Sequence, residues 1–430
     1  MEYMVVNESS HKSFHIVSLG CPKNLTDSEV LMGHLCKEGY AYTDDPSSAD
    51  TIVVNTCAFL SSARKESEQV IKEMAQYKKN GACKKIYVAG CLPKYVRAGR
   101  DRPLLHSVDG FIDSIDLFDC HAPRVKATPP WTAYVKISEG CNNNCAYCLI
   151  PSIRGRLRTR KVSDVLKEVK DLAGRGVKEM IFIAQDTTAH TKFPEILKKT
   201  SAVKGVKWIR AMYTHPKHIT DEFIDVMAKE RKILKYIDLP MQHSSDKMLK
   251  AMNRGYDRKY LEVLISKLRK KMPSIAIRTT FIVGFPGETE KDFEDLKAFI
   301  SKMKFDRVGV FPFSREKGTK AYGMKGQVSE RVKSERVRRL MKLQAKISRE
   351  KNQGFIGKTL DILIEGAGFK PARTGSALKY IGRSYRDAPE IDGKITVDSR
   401  QQTAVRAGDI VKVRITGAGT HDLRGVGKKT

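Results

Sequence analysis

The sequence predicts an α/β protein with three parts: an N-terminal open parallel α/β sheet, a central partial (β/α)6 barrel and a small C-terminal β-barrel. From about residue 13 to 120, short apolar strands alternate with helical segments, which is typical of a parallel sheet. Six further strand–helix units follow a proline-rich stretch, fewer than the eight that close a full barrel. Residues 353–430 consist of β-rich pieces separated by glycines, as in small barrels.

Three cysteines of the N-terminal domain, residues 13–120, share one position relative to the predicted sheet. Cys21, Cys57 and Cys91 each follow the end of a predicted strand and precede a helix. In an open parallel sheet the carboxyl ends of the strands line one crevice, which is the usual ligand site. We therefore expect these thiolates to meet there. Cys36 falls within a helical pattern and is predicted to be a small buried side chain.

A linker is predicted at residues 121–132, because this stretch contains three prolines and no periodicity. The central domain then occupies residues 133–327, and the sequence between its first two strands predicts a helix with Ser163 as N-cap. The loops after its strands should meet at one open end of the partial barrel. Its strands are predicted at AYVKIS, EMIFIAQD, KWIRAMY, KYIDLP, IAIRTTFIVG and RVGVFPFS.

A basic linking helix is predicted at residues 328–352. Between Arg331 and Lys351 it carries nine Lys or Arg and two Glu. Two interpretations remain open, a face that meets RNA and a solvated linking helix. The small barrel that follows resembles the oligonucleotide-binding type.

Composition and charge narrow the possible partners. The 430 residues include 79 Lys or Arg and 49 Asp or Glu, which gives a net charge of +30 and favours an acidic partner such as RNA. The N-terminus lacks a basic region followed by an apolar core, and no apolar run is long enough to cross a bilayer, so we expect a cytoplasmic protein without membrane contact. Nine cysteines, an odd number, argue against a disulfide framework and for metal or redox chemistry.

The loop after the first central strand holds three more cysteines, Cys141, Cys145 and Cys148, within eight residues. Thiolates bind zinc or iron–sulfur clusters, but a structural zinc site needs four protein ligands. No fourth candidate is near, since the closest histidines in sequence are His121 and His190. A 4Fe-4S cluster held by three cysteines keeps one iron open to another ligand.

The spacing C-x3-C-x2-C at the end of the first strand of a partial barrel resembles the signature of the radical S-adenosylmethionine (SAM) superfamily. This resemblance implies that the open iron binds SAM and that one-electron reduction releases a 5′-deoxyadenosyl radical. The stretches SLGCPKN, NTCAF and AGCLPKY narrow the resemblance to the methylthiotransferases, whose C-terminal module is called TRAM. The family implies a second 4Fe-4S cluster on Cys21, Cys57 and Cys91 that carries the sulfur or methylthio group.

Other strand ends offer candidate SAM-binding residues, although ordinary loops or turns explain them as well. Gln185 and Asp186 end the second central strand, and Arg210 and Gln242 lie near the ends of the third and fourth. Gly284 begins a turn after the fifth strand, where glycine would let the backbone approach a ligand. His243 suits general acid–base work, but a satisfied loop histidine is an equally good interpretation.

The branch of the family decides the substrate. One branch modifies an adenosine of transfer RNA, and the other an aspartate of small-subunit ribosomal protein twelve. Residues 382–393 resemble the C-terminal module of the second branch, with Asp387, Glu390 and Asp392 where an RNA-binding surface should avoid acid. Carboxylates repel a phosphate backbone but pair with the Arg and Lys of a ribosomal protein.

The sequence therefore predicts an enzyme that inserts a methylthio group at the β-carbon of that aspartate, in or near the ribosome. Its expected partners are the ribosomal protein, a reductant protein and RNA. The tRNA enzyme is the first alternative, and a zinc-stabilised RNA-binding protein without catalysis is a more distant one.

Overall fold

The computed structural model of the chain describes residues 12–97, 107–112, 123–367, 379–398 and 405–427. The predicted boundary at residues 120 and 121, together with Cys120 and His121, lies outside these residues. The described residues form two parallel sheets and one closed barrel, in the order predicted from the sequence.

The N-terminal sheet is parallel throughout and has the strand order β2-β1-β3-β4-β5. All six residues of its central strand, Thr51–Thr56, are buried, as expected for a strand covered on both faces. Because β1, β3 and β4 are neighbours, their carboxyl ends lie side by side. The strands are β1 Ser13–Ser18, β2 Ala41–Tyr42, β3 Thr51–Thr56, β4 Lys85–Gly90 and β5 Gly110–Phe111, and the helices are α1 Pro22–Lys37, α2 Ser61–Ala75, α3 Tyr77–Asn80 and α4 Cys91–Arg97.

The central domain is built on a six-stranded parallel sheet of order β13-β12-β11-β10-β9-β6, which confirms the six predicted strands. The two-stranded sheet β7-β8 flanks the loop that contains the three clustered cysteines. The strands are β6 Thr132–Lys136, β7 Ser138–Glu139, β8 Arg158–Thr159, β9 Glu179–Ile183, β10 Trp208–Ala211, β11 Ile233–Asp238, β12 Ala276–Val283 and β13 Arg307–Pro312. The helices are α5 Ile150–Arg154, α6 Val162–Gly174, α7 Phe193–Ser201, α8 Asp221–Lys229, α9 Asp246–Ala251, α10 Arg258–Lys271 and α11 Glu290–Met303.

A long helix, α12 Glu330–Gln353, leads to the closed C-terminal barrel, whose strand order is β14-β15-β16-β18-β17. The helix confirms the predicted linking segment. The sequence predicts four β-rich pieces here, KTLDILIEG, LKYIGRS, GKITVDS and DIVKVRITGAG, which match the first four strands in chain order, and the last strand, Leu423–Gly427, was not predicted. The strands are β14 Thr359–Ala367, β15 Lys379–Arg383, β16 Ile395–Asp398, β17 Ile410–Ala418 and β18 Leu423–Gly427.

The two faces of the central sheet bury different partners. One face packs on the surrounding helices through residues such as Val135, Phe182 and Ile209. The alternate residues of the same strands, Tyr134 and Ile181 among them, pack against the C-terminal barrel. The barrel therefore covers part of the inner face of the central sheet, and the strand alternation explains how one sheet serves both contacts.

Two local predictions were wrong. Cys36 lies in α1 but is exposed rather than buried. Helix α6 begins at Val162 after Lys161, and Ser163 lies inside its first turn, where its hydroxyl donates to the Asp164 carboxylate. Among the described residues, no helix has the length and apolar character needed to span a bilayer.

Candidate active site with two cysteine triads

Cys141, Cys145 and Cys148, here called the loop triad, lie between β7 and α5. Their thiols are close enough to affect one another's pKa. Backbone N–H groups of Asn143 and Ile150 approach the Sγ atoms of Cys141 and Cys148 at 3.4 Å. Burial raises the pKa of Cys141, and it raises the pKa of Cys148 to about 12.

A buried arginine, Arg254, also contacts the loop triad. Nη1 of Arg254 donates to Sγ of Cys145 at 3.1 Å. The same guanidinium donates to the hydroxyl of Tyr256 at 2.7 Å and to the carbonyl of Pro240 at 2.8 Å. These bonds fix the arginine and place a positive charge beside the sulfur.

Cys21, Cys57 and Cys91, here called the strand-end triad, follow β1, β3 and β4. Because these strands are adjacent, the three thiols lie near one another, and those of Cys21 and Cys91 affect the pKa of Cys57. Gly20 explains the close approach of two loops: a Cβ at this position would lie 3.3 Å from Sγ of Cys57, and φ is +92°.

The thiols of the strand-end triad differ in their electrostatics. Burial raises the pKa of Cys57 and Cys91. Burial acts in the same direction on Cys21, but the ammonium of Lys23, the backbone N–H of Asn24 and the guanidinium of Arg154 together lower its pKa below the usual value. Cys21 is thus the more readily ionised thiol of this triad.

Arg154 connects the helix that follows the loop triad with the strand-end triad. It ends α5, six residues after Cys148 of the loop triad, and its Nε donates to Sγ of Cys91 at 3.2 Å. Its Nη1 donates to carboxylate oxygens of Asp27 and Glu139, each at 3.0 Å. The guanidinium therefore spans the boundary between the N-terminal and central domains.

Lys136 and Arg154 together surround the carboxylates of Asp27 and Glu139. Lys136 also pairs with Asp27 and with Glu139, so two cations and two anions form a closed, buried group. Burial opposes ionisation of Glu139, but Lys136 and Arg154 outweigh it and hold the pKa of Glu139 at about 2. A balanced buried group of this kind is stable only while every member is present.

Neither triad is arranged as a closed site for a single zinc ion. With Zn–S bonds of about 2.3 Å, tetrahedral zinc would hold its sulfur ligands about 3.8 Å apart. In neither cysteine triad do all three sulfur atoms lie within 4.8 Å of one another. Within the described ranges, three possible metal ligands do lie this close together, and they are Asp186, His215 and His218.

Asp186, His215 and His218 are held by hydrogen bonds and do not fit a metal ion. Nδ1 of His215 accepts the backbone N–H of Lys217, so the proton of the neutral ring is on Nε2, which then has no lone pair for a metal. Burial lowers the pKa of His215 to about 3, so this ring is neutral. The Asp186 carboxylate pairs with Nδ1 of His218 at 2.7 Å and accepts from Nδ2 of Asn143 at 2.7 Å.

Several buried polar atoms around the loop triad have no hydrogen-bond partner in the part of the chain that the structure describes. They belong to residues at or just after the ends of the central strands, and they include both donors and acceptors. A polar ligand such as SAM, with amino, carboxylate and hydroxyl groups, would satisfy such atoms. The atoms are Oγ of Ser138, Oε1 of Gln185, Nε2 of His215, Oε1 of Gln242 and Oγ of Ser244.

The predicted SAM-binding residues separate into two groups. Gln185, Asp186 and Gln242 lie at the open end of the sheet, where Asp186 contacts the loop triad through Asn143. Arg210 does not join them, because its buried side chain pairs with Glu179 at 3.1 Å and donates to the carbonyl of Tyr385 in the C-terminal barrel at 2.9 Å. Arg210, predicted as a SAM-binding residue, is instead held by Glu179 and by the C-terminal barrel.

Gly284 and His243 are explained by packing. A Cβ on Gly284 would lie 2.3 Å from Cγ of Lys333, so helix α12, rather than a ligand, occupies that space. His243 is fully buried, and its Nδ1 accepts the backbone N–H groups of Ser244 and Ser245. Of the two interpretations of His243, the structure therefore favours a loop histidine whose ring is hydrogen-bonded to the backbone.

The predicted acidic loop, residues 382–393, does not present an exposed acidic surface. Asp387 accepts from Arg307 at 2.7 Å, and Asp392 accepts from the hydroxyl of Tyr236 at 2.7 Å. Both side chains are buried against the central domain, so they cannot meet a ribosomal protein. Only Glu390, of the three predicted carboxylates, is exposed.

The chain matches known protein families over most of its length. Three family models match: an uncharacterized protein family, UPF0004, at residues 13–102, the radical SAM superfamily at 135–300 and the TRAM domain at 356–426. The chain is 42% identical to the ribosomal protein uS12 methylthiotransferase RimO of Desulforamulus reducens, over 96% of this chain and 99% of that one. The RimO protein of Pelotomaculum thermopropionicum is 44% identical, over 95% and 98%.

The chain belongs to the RimO family. It is a radical SAM methylthiotransferase, and an iron–sulfur cluster and SAM are its cofactors. Among solved structures, the radical SAM methyltransferase TsrM of Kitasatospora setae superposes with a TM-score of 0.50 at 13% identity, covering 70% of this chain and 72% of that one. At this identity the likeness concerns the fold alone.

Arg154, Arg254 and His215 are the site residues that the sequence analysis missed. Arg154 and Arg254 are far apart in sequence, and each donates to a cysteine sulfur from a different element. Their proximity to the triads is a product of tertiary packing. The sequence gives no local signal for it, apart from the short distance between Cys148 and Arg154.

Proposed function

We propose that the chain inserts a methylthio group at the β-carbon of an aspartate of ribosomal protein uS12, using two 4Fe-4S clusters. The loop triad would hold one cluster and the strand-end triad the other. The observation that carries this proposal is that the chain has two separate groups of three cysteines, and that Arg154, in the helix after the loop triad, donates to Cys91 of the strand-end triad. When bound, the first cluster would supply the electron that splits SAM into methionine and a 5′-deoxyadenosyl radical, and the second would present the sulfur for transfer.

The protein itself would position the cluster ligands and SAM and shield them from solvent. Arg254 would orient Cys145 and offset the negative charge of the first cluster. Asp186, fixed by His218 and by Thr188, would hold the cysteine loop through Asn143. The unpartnered oxygens of Gln185 and Gln242 would accept hydrogen bonds from the amino or ribose groups of SAM.

The strand-end triad would be kept near the SAM cavity by contacts on two sides. Arg154 reaches Cys91 from the central domain. On the other side, the ammonium of Lys23, two residues after Cys21, lies 3.4 Å from the ring centre of Tyr213, which follows β10. These contacts support a second group that faces the radical site across the domain boundary.

The substrate assignment rests on the relatives, whose names give ribosomal protein uS12 as the protein that they modify. The acidic loop no longer supports it, since Asp387 and Asp392 are internal. We further infer that a reductant protein supplies the electron and that RNA near the substrate contributes to binding, consistent with the net charge of +30.

The test is a competition between substrates. Anaerobically reconstituted enzyme with SAM and a reductant is offered uS12, assembled small subunits and unmodified tRNA, and the products are analysed by mass spectrometry. We expect uS12, free or in the subunit, to gain one methylthio group in place of a hydrogen. Modified tRNA with unmodified uS12 would contradict the substrate assignment and would favour the tRNA enzyme.

A further inference from the structure

Helix α12 carries a row of cations that the fold does not use. Of the nine Lys and Arg between Arg331 and Lys351, four make ion pairs within the protein, among them Arg336 with Glu288 and Lys351 with Asp306. The other five are exposed, and in the described part of the chain none of them has an ion pair or a hydrogen bond through its side chain. They are Arg331, Arg338, Lys342, Lys346 and Arg349.

Four of these cations form a straight line, here called the α12 stripe: Arg331, Arg338, Lys342 and Arg349. Their spacings along the chain are seven, four and seven residues. At 3.6 residues per turn these spacings bring all four side chains to within about 20° of one line along the helix. Eighteen residues separate the two ends, so the line is about 27 Å long at about 1.5 Å per residue.

The opposite side of the helix is the packed side. Leu340 and Ile347, which point about 160° to 180° away from the stripe, are buried in the central core. On α12, Met341 is the one large apolar side chain that is exposed, and a single such residue is too few for membrane binding. Glu335 is an exposed acidic residue beside the stripe, and it is one of the carboxylates that raise the pKa of Arg339.

The stripe leads to the C-terminal barrel. At the end of α12, Nδ2 of Asn352 donates to the carbonyls of Gly419 and Thr420, which follow β17. On this barrel, Arg414 of β17 and Arg424 of β18 are exposed. The helix and the barrel thus offer cations on adjoining elements.

We propose that the α12 stripe binds the sugar–phosphate backbone of an RNA. A line of evenly exposed, unpaired cations matches a line of phosphates, and three of the four are arginines, which bind phosphate oxygens through two parallel N–H groups. No aromatic side chain lies in the stripe to stack on bases, so the contact positions the RNA without reading its sequence. This proposal does not depend on the cluster assignments. Under the proposed function the RNA would be that surrounding uS12.

The test compares two variants of the full-length protein that lose the same charge. The stripe variant is R331Q/R338Q/K342Q/R349Q. The control is K170Q/K198Q/K204Q/K207Q, which neutralises four exposed lysines of α6, α7 and the loop after α7. Each changes the net charge from +30 to +26. Glutamine preserves helix propensity, and melting curves check that both variants are folded.

Binding of a labelled RNA hairpin and of an unstructured RNA of equal length is measured by fluorescence anisotropy as a function of salt. The slope of log K against log salt is negative, and the loss of four phosphate contacts should reduce its magnitude by roughly 3, at about 0.7 to 0.9 per contact. The control should keep the parental slope. The uncoupled cleavage of SAM should be unchanged in both variants, which separates this proposal from the cluster chemistry. A stripe variant with the affinity and slope of the control for both RNAs would overturn the proposal.

Discussion

The two cysteine triads are built in opposite ways. The loop triad lies within eight residues of one loop, whereas the strand-end triad draws its cysteines from the ends of three strands, across 71 residues. The first is defined by local sequence, and the second exists only because β1, β3 and β4 are neighbours in a parallel sheet. Cysteines can therefore be brought together by their spacing in one domain and by sheet topology in the next.

The triads also share a feature. Each has one buried arginine that donates to one cysteine sulfur, Arg254 to Cys145 at 3.1 Å and Arg154 to Cys91 at 3.2 Å. Hydrogen bonds and positive charge at a ligand sulfur favour the more reduced form of an iron–sulfur cluster. The arginines differ in their other partners: Arg254 bonds hydroxyl and carbonyl groups, and Arg154 bonds two carboxylates.

The largest effect should come from the loop triad itself. Replacing Cys145 by Ala should abolish the reductive cleavage of SAM to 5′-deoxyadenosine, because the first cluster would lose one of its three ligands. The second cluster should remain. Chromatographic assay of 5′-deoxyadenosine, with iron analysis alongside, tests this expectation, and cleavage at the parental rate would refute the assignment of the loop triad.

The arginines allow a finer comparison. Arg154→Met should lower the reduction potential of the second cluster and leave that of the first unchanged, and Arg254→Met should do the reverse. Arg154→Met should also cost about 3 to 5 kcal/mol in stability, because it leaves Asp27 and Glu139 short of a cation. Potentiometric titration followed by electron paramagnetic resonance gives both potentials.

Arg160→Met is the matched control for these two variants. Arg160 is also buried, but it pairs with Glu168 and with a backbone carbonyl of Lys136 instead of a sulfur. This control should leave both potentials unchanged. If Arg154→Met and Arg254→Met behaved like the control, neither arginine would act on a cluster.

A smaller effect is expected in the metal-free protein, where Cys21 and Cys148 should differ in their rates of alkylation. The pKa of Cys21 is lowered and that of Cys148 is raised to about 12, while both residues are partly exposed. Since the thiolate is the nucleophile, iodoacetamide at pH 8 should modify Cys21 faster than Cys148. As the pH rises from 8 to 10, the rate at Cys21 should level off and that at Cys148 should keep rising. Peptide mass spectrometry measures both rates, and equal rates at pH 8 would contradict the proposed electrostatics.

Much of the fold followed from the sequence because it depends on local periodicity. Strand and helix patterns predicted both parallel sheets, and Cys21, Cys57 and Cys91 were placed at one sheet edge by the general geometry of parallel strands. Their role as cluster ligands is a prediction, and the variant that lacks all three cysteines tests it.

The errors concern side chains whose partners lie in another domain. Arg210 is part of a strand that ends at the cavity, but the C-terminal barrel supplies carbonyls that bind it away from SAM. Asp387 and Asp392 look like an exposed acidic loop, yet Arg307 and Tyr236 of the central domain bury them. The partners of Arg210, Asp387 and Asp392 are set by packing between domains, which leaves no periodic pattern in the sequence.

The central claim is that the triads hold separate clusters with separate roles. It is tested most directly with the variant C21A/C57A/C91A, purified and reconstituted anaerobically beside the control C36A/C83A, which alters cysteines outside both triads. We predict that the triple variant holds about half of the parental iron, since one of two equal clusters is lost. It should still cleave SAM but transfer no methylthio group, while the control keeps all iron and both activities. A triple variant with parental iron content, or with methylthio transfer intact, would contradict the account.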